Sequence, residues 1–227
     1  MFADNKLYAY FMEFAVIADI VGSRKLLDRS EAQLEIERSI AEVTRHGPAV
    51  IRPLEPTVGD EFQGVFSDLE SVLTFLLLLQ LRMPVGVQCR FGIGGGSVHS
   101  VASSQSTSIE DGPGWWAARE AIDQVHYFEE SKGARARTWV VVSETAEPQL
   151  RESMAIVNAY LLARDHIVGG INDRTRRLAF GSWLGKSQES LARDEGITQS
   201  AVSQALSRAG VAALFQGLHE IGRWVRK

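Results

Sequence analysis

QESLARDEGITQSAVSQALSRA, residues 188–209, is the stretch that decides the fold of the C-terminal part of the chain. Gly196 divides it into two short helical segments, and a positive φ at such a turn is cheap only for glycine. The apolar residues are spaced to pack these segments at a steep angle: Leu191, Ala192, Ile197, Val202 and Leu206. The stretch therefore predicts a helix-turn-helix.

The second helix of this pair begins with polar, uncharged residues that suit contacts to base edges. Thr198 can cap the helix, and it is followed by Gln199, Ser200, Ser203 and Gln204. Glutamine can pair with adenine through two hydrogen bonds, and serine can bond several bases. Arg208 and its cationic neighbours could hold phosphates: Arg174, Arg176, Arg177, Lys186 and Arg193. Double-stranded DNA is the predicted partner, and a helical hairpin that only packs or dimerises is the alternative.

The charge distribution points the same way, although its contrast is modest. The chain of 227 residues has a net charge of −4. Residues 164–227 carry ten Lys or Arg against six Asp or Glu, whereas the preceding residues carry 14 against 22. Nucleic acid attracts basic surfaces, so it would prefer the C-terminal part.

The N-terminal part alternates strand-like and helix-like patterns. Apolar runs and turn residues predict strands at residues 11–19, 51–58, 61–66 and 87–94. Two helices are expected between them. Ser30 and Gln33 form a capping-box pattern that opens the first helix, whose buried stripe would be Leu34, Ile36, Ile40 and Val43. The second helix is apolar and covers residues 69–81. The order strand, helix, strand, strand, helix, strand predicts a ferredoxin-like βαββαβ domain in an α+β protein.

This topology has a consequence for two aspartates, because its first and third strands are antiparallel neighbours at the centre of the sheet. Asp19 ends the first strand and Asp60 precedes the third, so the fold would bring their carboxylates together. Such a pair can hold Mg²⁺, and the backbone of Val21, Gly22 and Ser23, with Arg24 nearby, could bind phosphates. Alternatively, Asp19 caps the following loop and Asp60 only forms a turn.

Beyond these elements we expect a polar loop at residues 100–108, a helix at 115–125 and a strand at 139–142. After Pro148 the pattern is helical. A helix at 149–166 would end at a hinge formed by Gly169 and Gly170, and four helices follow, at 173–183, 187–194, 199–209 and 211–225. The predicted division is a sheet domain (1–148), a linking helix and hinge (149–170), and an all-α helix-turn-helix domain (171–227).

Five motifs, in this order along the chain, resemble those of the SatD family of bacterial proteins: ADIVGSR (18–24), GDEFQGVF (59–66), RFGIGGG (90–96), DGPGWWAARE (111–120) and TQSAVSQALSRAG (198–210). The first part is also similar to the palm domain of class III nucleotide cyclases and, more distantly, of GGDEF diguanylate cyclases. That resemblance implies metal binding by Asp19 and Asp60. It also implies that Arg119 would stabilise transition-state charge if the protein is an enzyme.

The chain departs from the cyclase pattern at two positions. Trp115 stands where cyclases have an asparagine, and Pro56 stands where many have a base-selecting lysine. An indole cannot accept hydrogen bonds and proline offers no side-chain donor, so cyclisation is not expected. Trp115 could stack on a nucleotide base, or Trp115 and Trp116 could simply be core or interface aromatics.

These patterns together predict a DNA-binding transcription regulator whose degenerate cyclase-like domain senses a ligand, with a nucleotide and Mg²⁺ as candidates. The alternative is a metal-dependent enzyme acting on nucleoside triphosphates. We expect a cytoplasmic homodimer that does not enter the membrane, because the longest apolar run, residues 73–79, is far shorter than the roughly 20 residues needed to span a bilayer. The single cysteine, Cys89, excludes an intramolecular disulfide.

Overall fold

A mixed five-stranded sheet and eight helices form the part of the chain that the computed structural model describes, which is residues 12–23, 28–57, 59–84, 86–101, 109–132 and 135–225. The strands are β1 (Phe14–Ile20), β2 (Arg52–Pro56), β3 (Glu61–Phe66), β4 (Cys89–Gly95), β5 (His99–Val101), β6 (Ile109–Asp111) and β7 (Thr138–Val142). The helices are α1 (Arg29–His46), α2 (Leu69–Arg82), α3 (Pro113–Lys132), α4 (Pro148–Gly170), α5 (Asp173–Trp183), α6 (Gln188–Glu195), α7 (Gln199–Arg208) and α8 (Val211–Val225).

The main sheet has the strand order β2-β3-β1-β4-β7. β1 pairs antiparallel with both β3 and β4, which confirms the predicted neighbourhood of the first and third strands. β7 was predicted as a strand, and the structure places it parallel to β4. A parallel neighbour needs a crossover connection, and α3 supplies it. β5 and β6 form a separate two-stranded sheet, so Ser100 and Val101 are in a strand and not in the expected loop. Residues 102–108 of that loop lie outside the described residues.

Alternation along β1 divides the molecule into layers, because successive side chains of a strand point to opposite faces. Phe14, Val16, Ala18 and Ile20 face the main core, which α1 and α2 cover. Ala15 and Ile17 face a smaller core that includes Trp115, Ala118 and Ile122 of α3. Asp19 has the same parity as Ala15 and Ile17, and it therefore points towards α3.

α2 is buried nearly all round, as its apolar sequence predicts. One side packs on the sheet, and α1, α5 and α8 pack against other sides. Burying one Leu or Phe side chain contributes about 1.5–3 kcal/mol, so this helix is a major source of stability. Leu214 and Leu218 of α8 belong to the same main core as the sheet, and the C-terminal helices are therefore packed against the N-terminal part.

Two expectations for α1 were wrong. Asp28, and not Ser30, caps the helix, with its carboxylate accepting a hydrogen bond from the Glu31 backbone N–H at 2.9 Å. Leu34 is 52% exposed. Ile36, Ile40 and Val43 are buried on one face, and Leu34, two positions before Ile36, lies about 200° away around the helix.

α3 approaches β4 so closely that only glycine fits at two positions of the strand. A Cβ on Gly92 would lie 2.3 Å from the carbonyl oxygen of Ala118, and one on Gly94 would lie 2.0 Å from that of Gly114. The glycine-rich end of β4 therefore serves the packing of a helix on a sheet.

α4 closes the open edge of β7 with side chains. The Asn158 side-chain amide accepts from the Val140 N–H at 2.8 Å and donates to the Val140 carbonyl at 2.9 Å, as a neighbouring strand would. The expected end of α4 was wrong, because Gly169 and Gly170 are the last residues of the helix and Ile171 caps it. The helix continues through both glycines because they keep helical backbone angles. The Ile171 N–H then donates a hydrogen bond to the Val168 carbonyl at the end of the helix.

Candidate functional site

α6 and α7 form the first candidate site, and their local geometry follows the sequence pattern. Ser187 caps α6 and Thr198 caps α7, the latter accepting from the Ala201 N–H at 3.1 Å. Gly196 lies between the helices in the left-handed region with φ 65°. Leu191, Ala192 and Val202 are buried together, and Leu178 of α5 completes their core. α5 and α6 therefore hold α7 in place.

The outer face of α7 is open. Its candidate contact residues are all exposed: Thr198, Gln199, Ser200, Ser203, Gln204 and Arg208. Val202 is fully buried and fixes the opposite face of the helix. The structure brings all six predicted side chains together on one accessible helix and its cap.

Cations near α7 fall into two groups. Arg177 donates to both carboxylate oxygens of Glu195 at 2.7 Å, and Lys186 contacts Asp194 at 2.7 Å. The Arg177 hydrogen bonds and charge lower the pKa of Glu195 below its usual range. Arg193 and Arg208 are exposed and have no acidic partner among the described residues. These two arginines are therefore the cations of this surface best placed to meet an anion.

The second candidate site is the strand end near Asp19 and Asp60. Asp19 lies opposite Glu61, the residue after Asp60, so the backbone brings the two aspartates to neighbouring strands as expected. The side chains are already engaged, however. Asp19 Oδ1 accepts from Arg90 Nε at 2.8 Å, and Asp19 Oδ2 lies 2.8 Å from His126 Nε2. Arg90 also donates to Glu129 at 2.8 Å.

This arrangement does not fit a magnesium site. A cation at Asp19 would have to displace a guanidinium and an imidazole from its two oxygens, and Mg²⁺ binds through oxygen ligands. Within the described residues, no group of three or more His, Cys, Asp or Glu side chains could hold a metal ion. Arg119 donates to both oxygens of Glu61, at 2.9 and 3.1 Å, so it too has a protein partner.

In the loop after β1, one of the three backbone amides predicted to bind phosphate is already bonded. The Val21 N–H donates to the Gln88 carbonyl at 2.8 Å, so it is not available to a ligand. Gly22 is exposed with φ 65°, and Ser23 is half-buried. Arg24 lies outside the described residues.

Trp115 is a core residue, with only 5% of its surface exposed. The guanidinium of Arg52 lies over its ring, 5.5 Å from the centroid. Its neighbour Trp116 is 64% exposed and donates from Nε1 to Asp111 at 3.0 Å. The burial of Trp115 fits a core aromatic residue better than a surface on which a nucleotide base stacks.

Arg90, His126 and Glu61 also belong to this site, although the sequence patterns did not predict them. Strand parity could have found the first, because Arg90 alternates with the buried Cys89 and Phe91 and must face α3 with Asp19. His126 and Glu61 needed the placement of α3, which no local pattern supplied.

The fold and these sites define an α+β protein in which a mixed sheet is packed against a C-terminal group of helices. Comparison with protein families matches residues 13–219 to the model of the SatD family. The chain belongs to the SatD family. No curated protein matches it. In the described part of the chain, every helix is too short or too polar to cross a membrane.

Proposed function

We propose that this protein binds double-stranded DNA through α7 and regulates transcription. In this proposal α6 and α7 form a helix-turn-helix, and α7 is the recognition helix that enters the major groove. The observation that carries the proposal is the exposed row of uncharged polar side chains on a capped helix whose opposite face is fixed by Val202. Folding alone does not need such a row.

The charges near α7 also support this helix as the DNA-binding surface. Arg193 on α6 and Arg208 at the end of α7 are exposed and have no acidic partner among the described residues. Arginines in such positions typically contact phosphates, which orient a protein on the duplex while base contacts supply specificity. Since Arg177 and Lys186 already pair with Glu195 and Asp194, we assign the phosphate contacts to Arg193 and Arg208 first.

We also propose that the N-terminal part is a ferredoxin-like palm domain, which either senses a ligand or forms a homodimer. The strand order β2-β3-β1-β4 with antiparallel neighbours is the order of that fold. A homodimer would suit the proposal, because helix-turn-helix proteins commonly bind two half-sites. An enzyme acting on nucleoside triphosphates is less well supported, because Asp19 and Arg119 are paired with protein side chains.

Fluorescence anisotropy with labelled duplexes tests the proposal. Duplexes selected from a random pool and from the DNA upstream of the gene are titrated with the protein at physiological salt. We expect a preferred sequence whose affinity exceeds that of an unrelated duplex. Failure to bind any duplex more tightly than non-specific DNA would contradict the proposal.

Variants then locate the recognition surface. Gln199→Ala should weaken binding to the preferred duplex by roughly 1–3 kcal/mol, because a bidentate base contact is lost. Arg208→Ala should weaken binding to all duplexes and reduce the salt dependence by about one ion. Gln216→Ala, an exposed glutamine on α8, is the matched control and should have no effect. Equal effects of Gln199→Ala and Gln216→Ala would show that α7 is not the recognition helix.

A further inference from the structure

A cavity of about 250 Å³ lies where the end of α2, the start of β4, the end of α4 and α5 meet. Three arginines line it, Arg135, Arg137 and Arg176, together with apolar side chains that include Val87 and Phe91. Phe91 belongs to the face of the sheet that α1 and α2 cover, whereas Asp19 faces α3. The cavity and the aspartate site are therefore on opposite faces of the sheet.

The charge in the cavity wall is positive. Asp165 is the acidic lining residue. Its oxygens already accept hydrogen bonds from the side chains of Arg164 and Gln80 and from the backbone N–H of Arg137. The Arg137 side chain pairs with Glu129 at 3.0 Å. Arg135 and Arg176, by contrast, have no acidic partner among the described residues.

Arg135 and Arg176 are bonded only weakly. Arg135 Nη1 donates to the Gly169 carbonyl and Arg176 Nη2 donates to the Val168 carbonyl, each at 3.3 Å. Arg176 Nε is buried and has no hydrogen-bond partner in the structure. The remaining terminal N–H groups of the two guanidinium groups have no acceptor among the described residues.

A second polar atom beside the cavity is also unpaired. Gln80 is only 9% exposed, and its Nε2 donates to Asp165 and Thr138. Its Oε1 is buried without a partner. The cavity wall as a whole combines two arginines that have no acidic partner with an apolar surface, and these are elements of a small-molecule site.

We propose that this cavity binds a small organic anion, a carboxylate or a phosphate monoester on a compact apolar body. Arg135 and Arg176 hold the anionic group, because guanidinium groups form paired hydrogen bonds with such oxygens. The apolar body lies against Val87 and Phe91. The volume suits one ring or a short branched chain.

The position of the cavity gives the ligand a route to α7. Its walls come from the sheet side and from α5, and α5 packs against α6 and α7. A ligand that fixes α5 therefore alters how α7 is presented. This effect on DNA rests on the proposed function, whereas binding of the anion does not.

Isothermal titration calorimetry on the whole protein, without DNA, tests the site. The probes are benzoate, phenyl phosphate, inorganic phosphate and the neutral benzamide. Benzoate or phenyl phosphate should bind with a Kd in the range of about 1 mM or tighter, and benzamide should not. Preference between the two anions identifies the chemical class of the natural ligand.

Variants distinguish this cavity from surface binding. Arg135→Gln combined with Arg176→Gln should weaken the anion at least about tenfold, since two charge-assisted contacts are lost. Arg151→Gln, an exposed arginine on α4 that does not line the cavity, should leave binding unchanged. Gly169→Leu keeps both arginines but fills space beside Arg135, where a Cβ would sit 3.5 Å from Arg135 Cδ, and it should also abolish binding.

Four results would overturn the proposal. The first is that no anion binds at concentrations up to about 10 mM, and the second is that benzamide binds as tightly as benzoate. The third is that inorganic phosphate is the only probe that binds, and the fourth is that both cavity variants still bind the anion. Circular dichroism melting of each variant establishes that it is folded. Calorimetry measures anion binding in the absence of DNA, so its result does not depend on DNA affinity. The failure of one proposal can therefore be distinguished from the failure of the other.

Discussion

The α6–α7 pair and the strand end at Asp19 both carry polar residues that the sequence marks, yet their surroundings are opposite. On α7 the polar side chains are exposed, and the described contact among them is a 3.4 Å hydrogen bond from Gln204 to Ser200. At the strand end, Asp19, Arg90 and Glu61 are all bonded to other side chains. Side chains that already bond one another hold elements together, whereas an exposed row on a rigid helix is free to meet a partner.

The largest effect is expected where α3 contacts the sheet. Gly94→Ala would place a Cβ 2.0 Å from the Gly114 carbonyl oxygen, so α3 or β4 must shift. We expect a loss of more than about 3 kcal/mol in the free energy of unfolding, measured by urea denaturation. Gly170→Ala is the control, because a Cβ there meets no atom within 4 Å and alanine favours a helix. Similar stability of the two variants would refute this packing.

The next prediction separates a structural Asp19 from a metal ligand. Asp19→Ala should lower the free energy of unfolding by about 1–3 kcal/mol, because Arg90 and His126 lose a charged partner in a half-buried site. Asp60→Ala should change it by less than about 0.5 kcal/mol, since no described side chain bonds to it. If instead Mg²⁺ raises the melting temperature of the native protein but of neither variant, the aspartates are a metal pair.

The sequence predicted the C-terminal helices well because their signals are local. Caps, the turn glycine and the apolar spacing lie within a few residues of one another, and α5 and α8 have the predicted bounds. The antiparallel pairing of β1 and β3 was also predictable, because the element order restricts the topology.

Most of the aspartate site was not predictable from local signals. Asp19 is paired by Arg90, 71 positions away along the chain, and by His126, 107 positions away. The alternation of β4 indicates that Arg90 faces α3 with Asp19, but no local pattern places His126 there. The cavity beside Arg176 likewise depends on how α5 packs against α2, which a single sequence does not encode in any short pattern.

A smaller effect is expected at the turn of the helix pair. Gly196 has φ 65°, and a Cβ there would meet nothing within 4 Å, so only the backbone opposes substitution. Gly196→Ala should therefore cost about 1 kcal/mol, and Gly196→Asn less, because asparagine tolerates the left-handed region. Differential scanning calorimetry measures both. If asparagine costs as much as alanine, the turn is limited by something other than φ.

The smallest effect concerns the ion pair that joins α5 to α6. Arg177 lowers the pKa of Glu195, first through its hydrogen bonds and then through its charge. A lowered folded-state pKa means that the pair stabilises the protein above the ordinary glutamate pKa of about 4.3 and ceases to do so as pH falls through the lowered value. With Arg177 55% exposed, Glu195→Gln should cost less than about 1 kcal/mol at pH 7, and this difference should disappear as pH falls through the lowered pKa of Glu195.

The same variant tests whether pairing withholds a cation from DNA. Glu195→Gln releases Arg177, whose side chain is on the exposed surface beside the helix pair. Non-specific DNA affinity should then rise slightly and become more dependent on salt, because one more arginine can reach a phosphate. Asp194→Asn would release Lys186 in the same way and serves as the matched variant. Unchanged affinity in both would place these cations away from the duplex, and would confine the phosphate contacts to Arg193 and Arg208.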